Sequence, residues 1–277
     1  MELVTKKFET MGARLKVEIA ESRIAALRPT ARSGLIGAER FSLNVLGRGK
    51  NQYFEIQAGG EVEVEVLDVS KTGRHLLLML RTGGRLNKAK FLCGHDEREW
   101  FAAALPEDKP VKSIATAMEA LKPDAVIESQ QRKKVKTRKR NKRANEGFVR
   151  QGEWFFIPVP GFDASGLIVH KHEPLSRGRG RPHMVAELVR SGGTQVWVCG
   201  EHPTGVSEKE YRRILKKNPG AGKWGWRTMM RDPAVYVRGE VSQPGGHKTI
   251  DLNGWHRVEV NTEGQSRAFG DALAFLD

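Results

Sequence analysis

His170 and His172, in the stretch IVHKHE, stand two residues apart. On a β-strand that spacing puts both imidazoles on one face, about 7 Å apart, close enough to share one ion such as zinc. Cys199 or His202, in CGEH, supplies a third ligand if that neighbouring strand end lies close. The chemistry implied is that of a metal-dependent hydrolase or nuclease; the plain alternative is two surface histidines on a half-exposed strand. A second concentration of reactive types, CGHDERE at 93–99, holds Cys93, His95, Asp96, Glu97 and Glu99. Consecutive residues point different ways on a helix or a strand, so these five do not converge on one substrate. Carboxylates beside Cys93 raise the pKa of its thiol rather than activate it, and a solvated strand end is expected. The chain has no glycine-rich phosphate loop followed by Lys-Ser/Thr, no Gly-x-Ser-x-Gly elbow and no Cys-x-x-Cys pair. No catalytic residue is assigned, and binding is favoured over catalysis.

The densest chemical signal is cationic. The net charge is +14, but residues 1–130 contribute +2 and residues 144–277 only +3, whereas residues 131–143 contribute +9 with no acid among them. The cations of that run are Arg132, Lys133, Lys134, Lys136, Arg138, Lys139, Arg140, Lys142 and Arg143. Like charges repel and leave nothing apolar to bury, so the run is expected to stay extended as a flexible linker until it meets an anion. DNA and RNA present dense phosphates, and each one neutralised releases condensed counterion. Nucleic acid is therefore the expected partner; the alternatives are a merely soluble spacer and, in a eukaryotic host, a nuclear import signal.

A second basic patch, LSRGRGRPHM at 175–184, alternates Arg177, Arg179 and Arg181 with glycine. Its centre, RGRP at 179–182, resembles the core of an AT-hook, which lies in the minor groove of A·T-rich DNA. The resemblance covers four residues. RPTAR (28–32) and DVSKTG (68–73) resemble the RxxxR and DxSxxG elements of PilZ domains, which bind cyclic di-GMP on a β-barrel. That resemblance implies a phosphate and base grip by Arg28 and Arg32 and a second contact shaped by Asp68, Ser70 and Gly73. An ordinary turn at 68–73 is the alternative. Trp224 and Trp226, in GKWGWRTMMR, are candidate stacking surfaces for unpaired bases, or else members of a small core.

These groups are expected on a mainly β, α+β scaffold of two small antiparallel domains with about one helix each. The boundaries read from composition are 1–125, a basic linker at 126–147, and 148–277. Strands are expected at 13–20, 40–46, 52–57, 61–67, 75–80 and 90–94, then at 153–159, 166–172, 183–189 and 194–200. In EVEVEVL (61–67) the valines share one face and the glutamates the other, whereas HLLLML (75–80) is apolar throughout, as a central strand would be. Helices are expected at 113–123, with Ser113 as N-cap, and at 207–218, with Ser207 and Glu210 as a capping box. SGG at 191–193 suggests a hairpin loop. Asn253-Gly254 suggests a two-residue hairpin in a C-terminal meander, pairing Leu252 with Trp255, Asp251 with His256, Ile250 with Arg257 and Lys248 with Glu259. Two cysteines are too few for a disulfide scaffold, the longest apolar stretches do not reach membrane-spanning length, and MELVTKKFET has no signal-peptide order. A cytoplasmic protein is expected, with nucleic acid, or a larger nucleoprotein complex, as partner and no membrane; zinc is the only cofactor the residues suggest.

Overall fold

A computed structural model describes residues 1–20, 33–36, 39–83, 88–176, 181–243 and 245–266. The fold is mainly β, with four α-helices among the described residues, an α+β arrangement dominated by antiparallel sheets. The chain divides into two compact units. The first runs to Ile157 and takes in residues 245–248 and 259–266; the second holds residues 158–243 and 249–258.

The first unit begins with α1 (Glu2–Met11), followed by β1 (Leu15–Ala20), β2 (Ser33–Ile36), β3 (Glu39–Leu46) and β4 (Tyr53–Gly59). These strands form one sheet in the order β1-β4-β3-β2, in which β1 runs parallel to β4. An antiparallel meander follows: β5 (Glu63–Ser70), β6 (His75–Arg81), β7 (Lys88–Asp96) and β8 (Glu99–Ala104). Phe8 of α1, Phe41, Leu43, Phe54 and Ile56 of the first sheet, and Leu76, Leu78, Leu80 and Phe91 of the second share one core. The opposite face of the meander, with Leu77, Leu92 and Ala103, packs on Ala117 and Ala120 of α2 (Ile114–Ala120). The unbroken apolar run of β6 thus follows from burial on both faces, while the stretch 61–65 leading into β5 keeps Val62 buried and Glu61, Glu63 and Glu65 exposed, as its alternation requires. Ser113 caps α2, accepting from the Thr116 amide at 3.3 Å. The unit is completed by α3 (Asp124–Arg132), β9 (Val149–Gln151) and β10 (Trp154–Pro158).

The second unit contains β11 (Val169–Leu175), β12 (His183–Ser191), β13 (Thr194–Cys199), β14 (His202–Val206), α4 (Glu208–Lys217), β15 (Arg227–Arg231), β16 (Ala234–Ser242) and β17 (Ile250–Val260). Strands β11, β12, β16 and β17 are neighbours in one antiparallel sheet, and β14-β13-β15 form another. Gly192 and Gly193, both at positive φ, therefore carry the chain from one sheet to the other instead of closing a hairpin.

The expected hairpin at Asn253-Gly254 is also corrected. β17 passes through it unbroken: Leu252 pairs with Gly239 and His256 with Val237, so Asn253, Gly254 and Trp255 bulge opposite the single residue Arg238. Asp251 faces Glu240 rather than His256. Positive φ at Gly254 serves a bulge as well as a turn, and a turn lies instead at 245–247, ahead of β17. The bulge sets Trp255 beneath the Arg238 guanidinium, 4.7 Å from the ring centre.

Candidate nucleic-acid interface

The basic run is not a flexible linker. It is a helix end and a tight turn inside the first unit. Pro123 and Asp124 start α3 with favourable first-turn chemistry, and Val126 seats it against Phe148, Phe155 and Ile157. The helix ends in a Schellman motif: the Val135 amide donates to the Gln130 carbonyl at 2.9 Å and the Lys134 amide to the Gln131 carbonyl at 2.9 Å. Lys134 takes the left-handed conformation, φ 51°, that glycine normally fills, and Val135 is buried beyond it. Val135 is the single apolar residue of the run. A 3₁₀ turn at Thr137–Lys139 follows, and the chain returns through an Ala144–Val149 bridge into β9.

The turn is anchored from below by a buried ammonium. Lys122, 2% exposed, donates from Nζ to Glu119 Oε1 (2.7 Å), Asn141 Oδ1 (2.8 Å), the Arg140 carbonyl (2.9 Å) and Gln130 Oε1 (3.2 Å). Gln130 Nε2 donates to the same Arg140 carbonyl at 2.8 Å, and Ser129 Oγ to the Gly147 carbonyl at 2.8 Å. Burial pulls the Lys122 pKa below the ordinary lysine value, and the Glu119 carboxylate opposes that pull.

This anchoring sorts the nine cations. Arg132, Lys133, Lys134, Lys136, Arg138 and Lys142 are exposed. Lys139 pairs with Glu146, Arg140 donates from Nε to the Val135 carbonyl at 3.3 Å, and Arg143 bridges Asp96 and Glu97. Asp96 and Glu97 belong to CGHDERE, which forms the tip of the β7–β8 hairpin rather than a solvated strand end. There Asp96 is buried and also faces Arg150 at 3.5 Å, and Glu97 accepts from the Lys248 amide at 2.5 Å. Arg143 is thus a structural ion-pair member. The Lys122 anchor and the Arg143 bridge had no signal in the sequence, whereas Pro123-Asp124 is a helix-start signal for α3 that the expectation of a linker at 126–147 passed over.

The other candidate groups stand apart. His170 and His172 lie on β11, while Cys199 and His202 face each other as β13–β14 partners in the other sheet. His172 has φ 54° and is skipped in the β11–β12 register, which breaks the alternation that would set it beside His170. His170 Nδ1 lies 3.5 Å from Glu173 Oε1. Among the described residues no group of three or more His, Cys, Asp or Glu side chains converges to hold a metal. Of the second basic patch, Arg181 is exposed and accepts at its carbonyl from Gln243 Nε2 at 2.9 Å, whereas Arg177 and Arg179 lie outside the described residues. Arg28 and Arg32 lie outside them too. Asp68 Oδ2 accepts from the Ile114 amide at the start of α2, and Ser70 Oγ from the Gly73 amide, closing the β5–β6 turn. No helix among the described residues is long and apolar enough to cross a membrane.

No family model, curated protein or solved structure matches this chain.

Proposed function

We propose that this protein binds nucleic acid, gripping phosphates through the basic turn that follows α3. The observation that carries the reading is the presence of six exposed cations between Arg132 and Lys142 on a folded, internally bonded segment. A preformed cationic turn meets a phosphate chain without first ordering its own backbone, which costs less on binding than ordering a free strap of equal charge. Six phosphate contacts on duplex DNA correspond to a fall in log affinity of about 5 per tenfold rise in salt, at ~0.9 per contact.

Full-length protein titrated with labelled duplex DNA and RNA across a salt series, from about 50 mM upward, measures that slope. Replacing Arg132, Lys133, Lys134 and Lys136 with Gln should remove up to ~4 of the contacts and flatten the slope accordingly. An unchanged slope in the variant, or no binding by the parent protein at the lowest salt, overturns the reading.

A further inference from the structure

The basic turn is not the only cationic surface of the first unit. Four connections meet at one end of its sheets: residues 12–14 between α1 and β1, 47–52 between β3 and β4, 71–74 between β5 and β6, and the β7–β8 tip at 96–99. Together they hold six basic residues and three acidic ones. Two of those acids, Asp96 and Glu97, are already bonded to Arg143. Arg14, Arg48 and Lys50 are exposed, and Arg74 is half-buried.

Contacts between the connections hold this end in place. Arg14 Nη2 lies 3.5 Å from both the Lys50 and the Gln52 carbonyl oxygens. Gln52 is buried, and its Oε1 accepts from the Trp100 amide at 3.0 Å. Arg74 takes the left-handed conformation, φ 53°, and sets its guanidinium over the Trp100 ring, 4.5 Å from the centre. Its carbonyl accepts from the His95 amide at 3.0 Å. Arg14 and Arg74 are thus steadied by carbonyl oxygens and a ring, which leave their charge uncancelled. Cations ordered before a ligand arrives cost less to immobilise on binding.

His95 connects this end to the basic turn. The two residues after it, Asp96 and Glu97, hold Arg143, the last cation of the turn. Burial lowers the His95 pKa, and the charges of Arg74, Arg143 and His75 lower it further, so both guanidiniums act on one ring. Positive charge therefore continues from the turn, past the hairpin tip, to Arg74, Arg14 and Lys50 within a single unit.

We infer that Arg14, Arg48, Lys50 and Arg74 form a second phosphate-binding patch, which takes nucleic-acid backbone continuing past the basic turn. The inference rests on the nucleic-acid reading above and adds the length of backbone held. Four further contacts raise the expected salt slope on a long duplex from about 5 to about 9, at ~0.9 per contact.

The probe is labelled duplex DNA of about 30 base pairs, roughly 100 Å long, titrated with full-length protein over the same salt series as the turn variant. Arg48→Gln with Lys50→Gln removes two exposed cations and should lower the slope by up to ~1.8. Adding Arg14→Gln and Arg74→Gln should lower it by up to ~3.6 in all, with circular dichroism reporting whether the fold is kept. If the quadruple variant misfolds, the double variant decides alone. Folded patch variants that keep the parental slope refute the patch, and a flattened slope in the turn variant then leaves the basic-turn reading standing. If the patch variants flatten the slope and the turn variant does not, the patch stands and the turn is not the grip. One protein should hold one duplex, because both surfaces follow the same backbone; two duplexes per protein refute the joined surface. If polyglutamate binds the parent and loses affinity only in the patch variants, the patch takes acidic protein segments and the proposal fails.

Discussion

Replacing Lys122 with Met separates geometry from charge at the basic turn, because it leaves every exposed cation in place. The Met side chain fills similar volume but takes a donor away from four acceptors: Glu119 Oε1, Gln130 Oε1, Asn141 Oδ1 and the Arg140 carbonyl. Removing one member of a fully buried ion pair costs about 3–5 kcal/mol. Here the Glu119 side chain is 38% exposed and can rehydrate, and Gln130 Nε2 still reaches the Arg140 carbonyl, so the expected loss is lower, about 2–3 kcal/mol. A domain of ordinary stability, about 5–15 kcal/mol, survives that loss. Urea titration should show a lower midpoint with an unchanged slope. Amide exchange should quicken selectively at residues 133–147, and nucleic-acid affinity should fall although the surface charge is intact. A midpoint unchanged within error, or a destabilised protein that binds nucleic acid as tightly as the parent, would refute the idea that the buried ammonium shapes the binding turn.

Arg143→Ala makes the opposite separation. It should destabilise by about 1–3 kcal/mol in urea, because buried Asp96 loses one of its arginine partners and keeps Arg150, yet leave the salt slope of binding unchanged; a flattened slope would place Arg143 among the phosphate contacts. Stability should also depend on acidity. Burial lowers the pKa of His75, His95 and His256, so the folded form holds fewer protons than the unfolded chain. Their contribution is present above the unfolded histidine value of about 6.5 and is lost as the pH falls below it, so the urea midpoint should drop between about pH 7.5 and 5; a flat profile contradicts this.

Much of the scaffold was legible where a single physical rule dominated. The EVEVEVL alternation, the doubly buried HLLLML run and the Ser113 and Ser207 caps all appear as strand, strand and helix starts. The basic run was misjudged because charge repulsion was weighed without the anchors beneath it. Val126, Val135 and Phe148 supply apolar seating, and the anchoring ammonium, Lys122, looks in sequence like any lysine near a helix end. Asn253-Gly254 failed for another reason: positive φ is shared by turns and bulges, and only the register against Arg238 decides between them. The metal candidates rested on an unbroken alternation in β11, which His172 interrupts.

The first unit closes with residues that come after the second. Thr262 Oγ1 donates to the Ala120 carbonyl and Glu263 Oε1 accepts from the Ala104 amide, across separations of 142 and 159 residues. On a ribosome adding about 5–20 residues per second, those two backbone groups wait roughly 7 to 30 seconds for their partners. During that interval the edge at Ala104 and the end of α2 are open to water, to chaperones or to a neighbouring nascent chain. Synthesis speed and chaperone supply should therefore influence the yield of this protein.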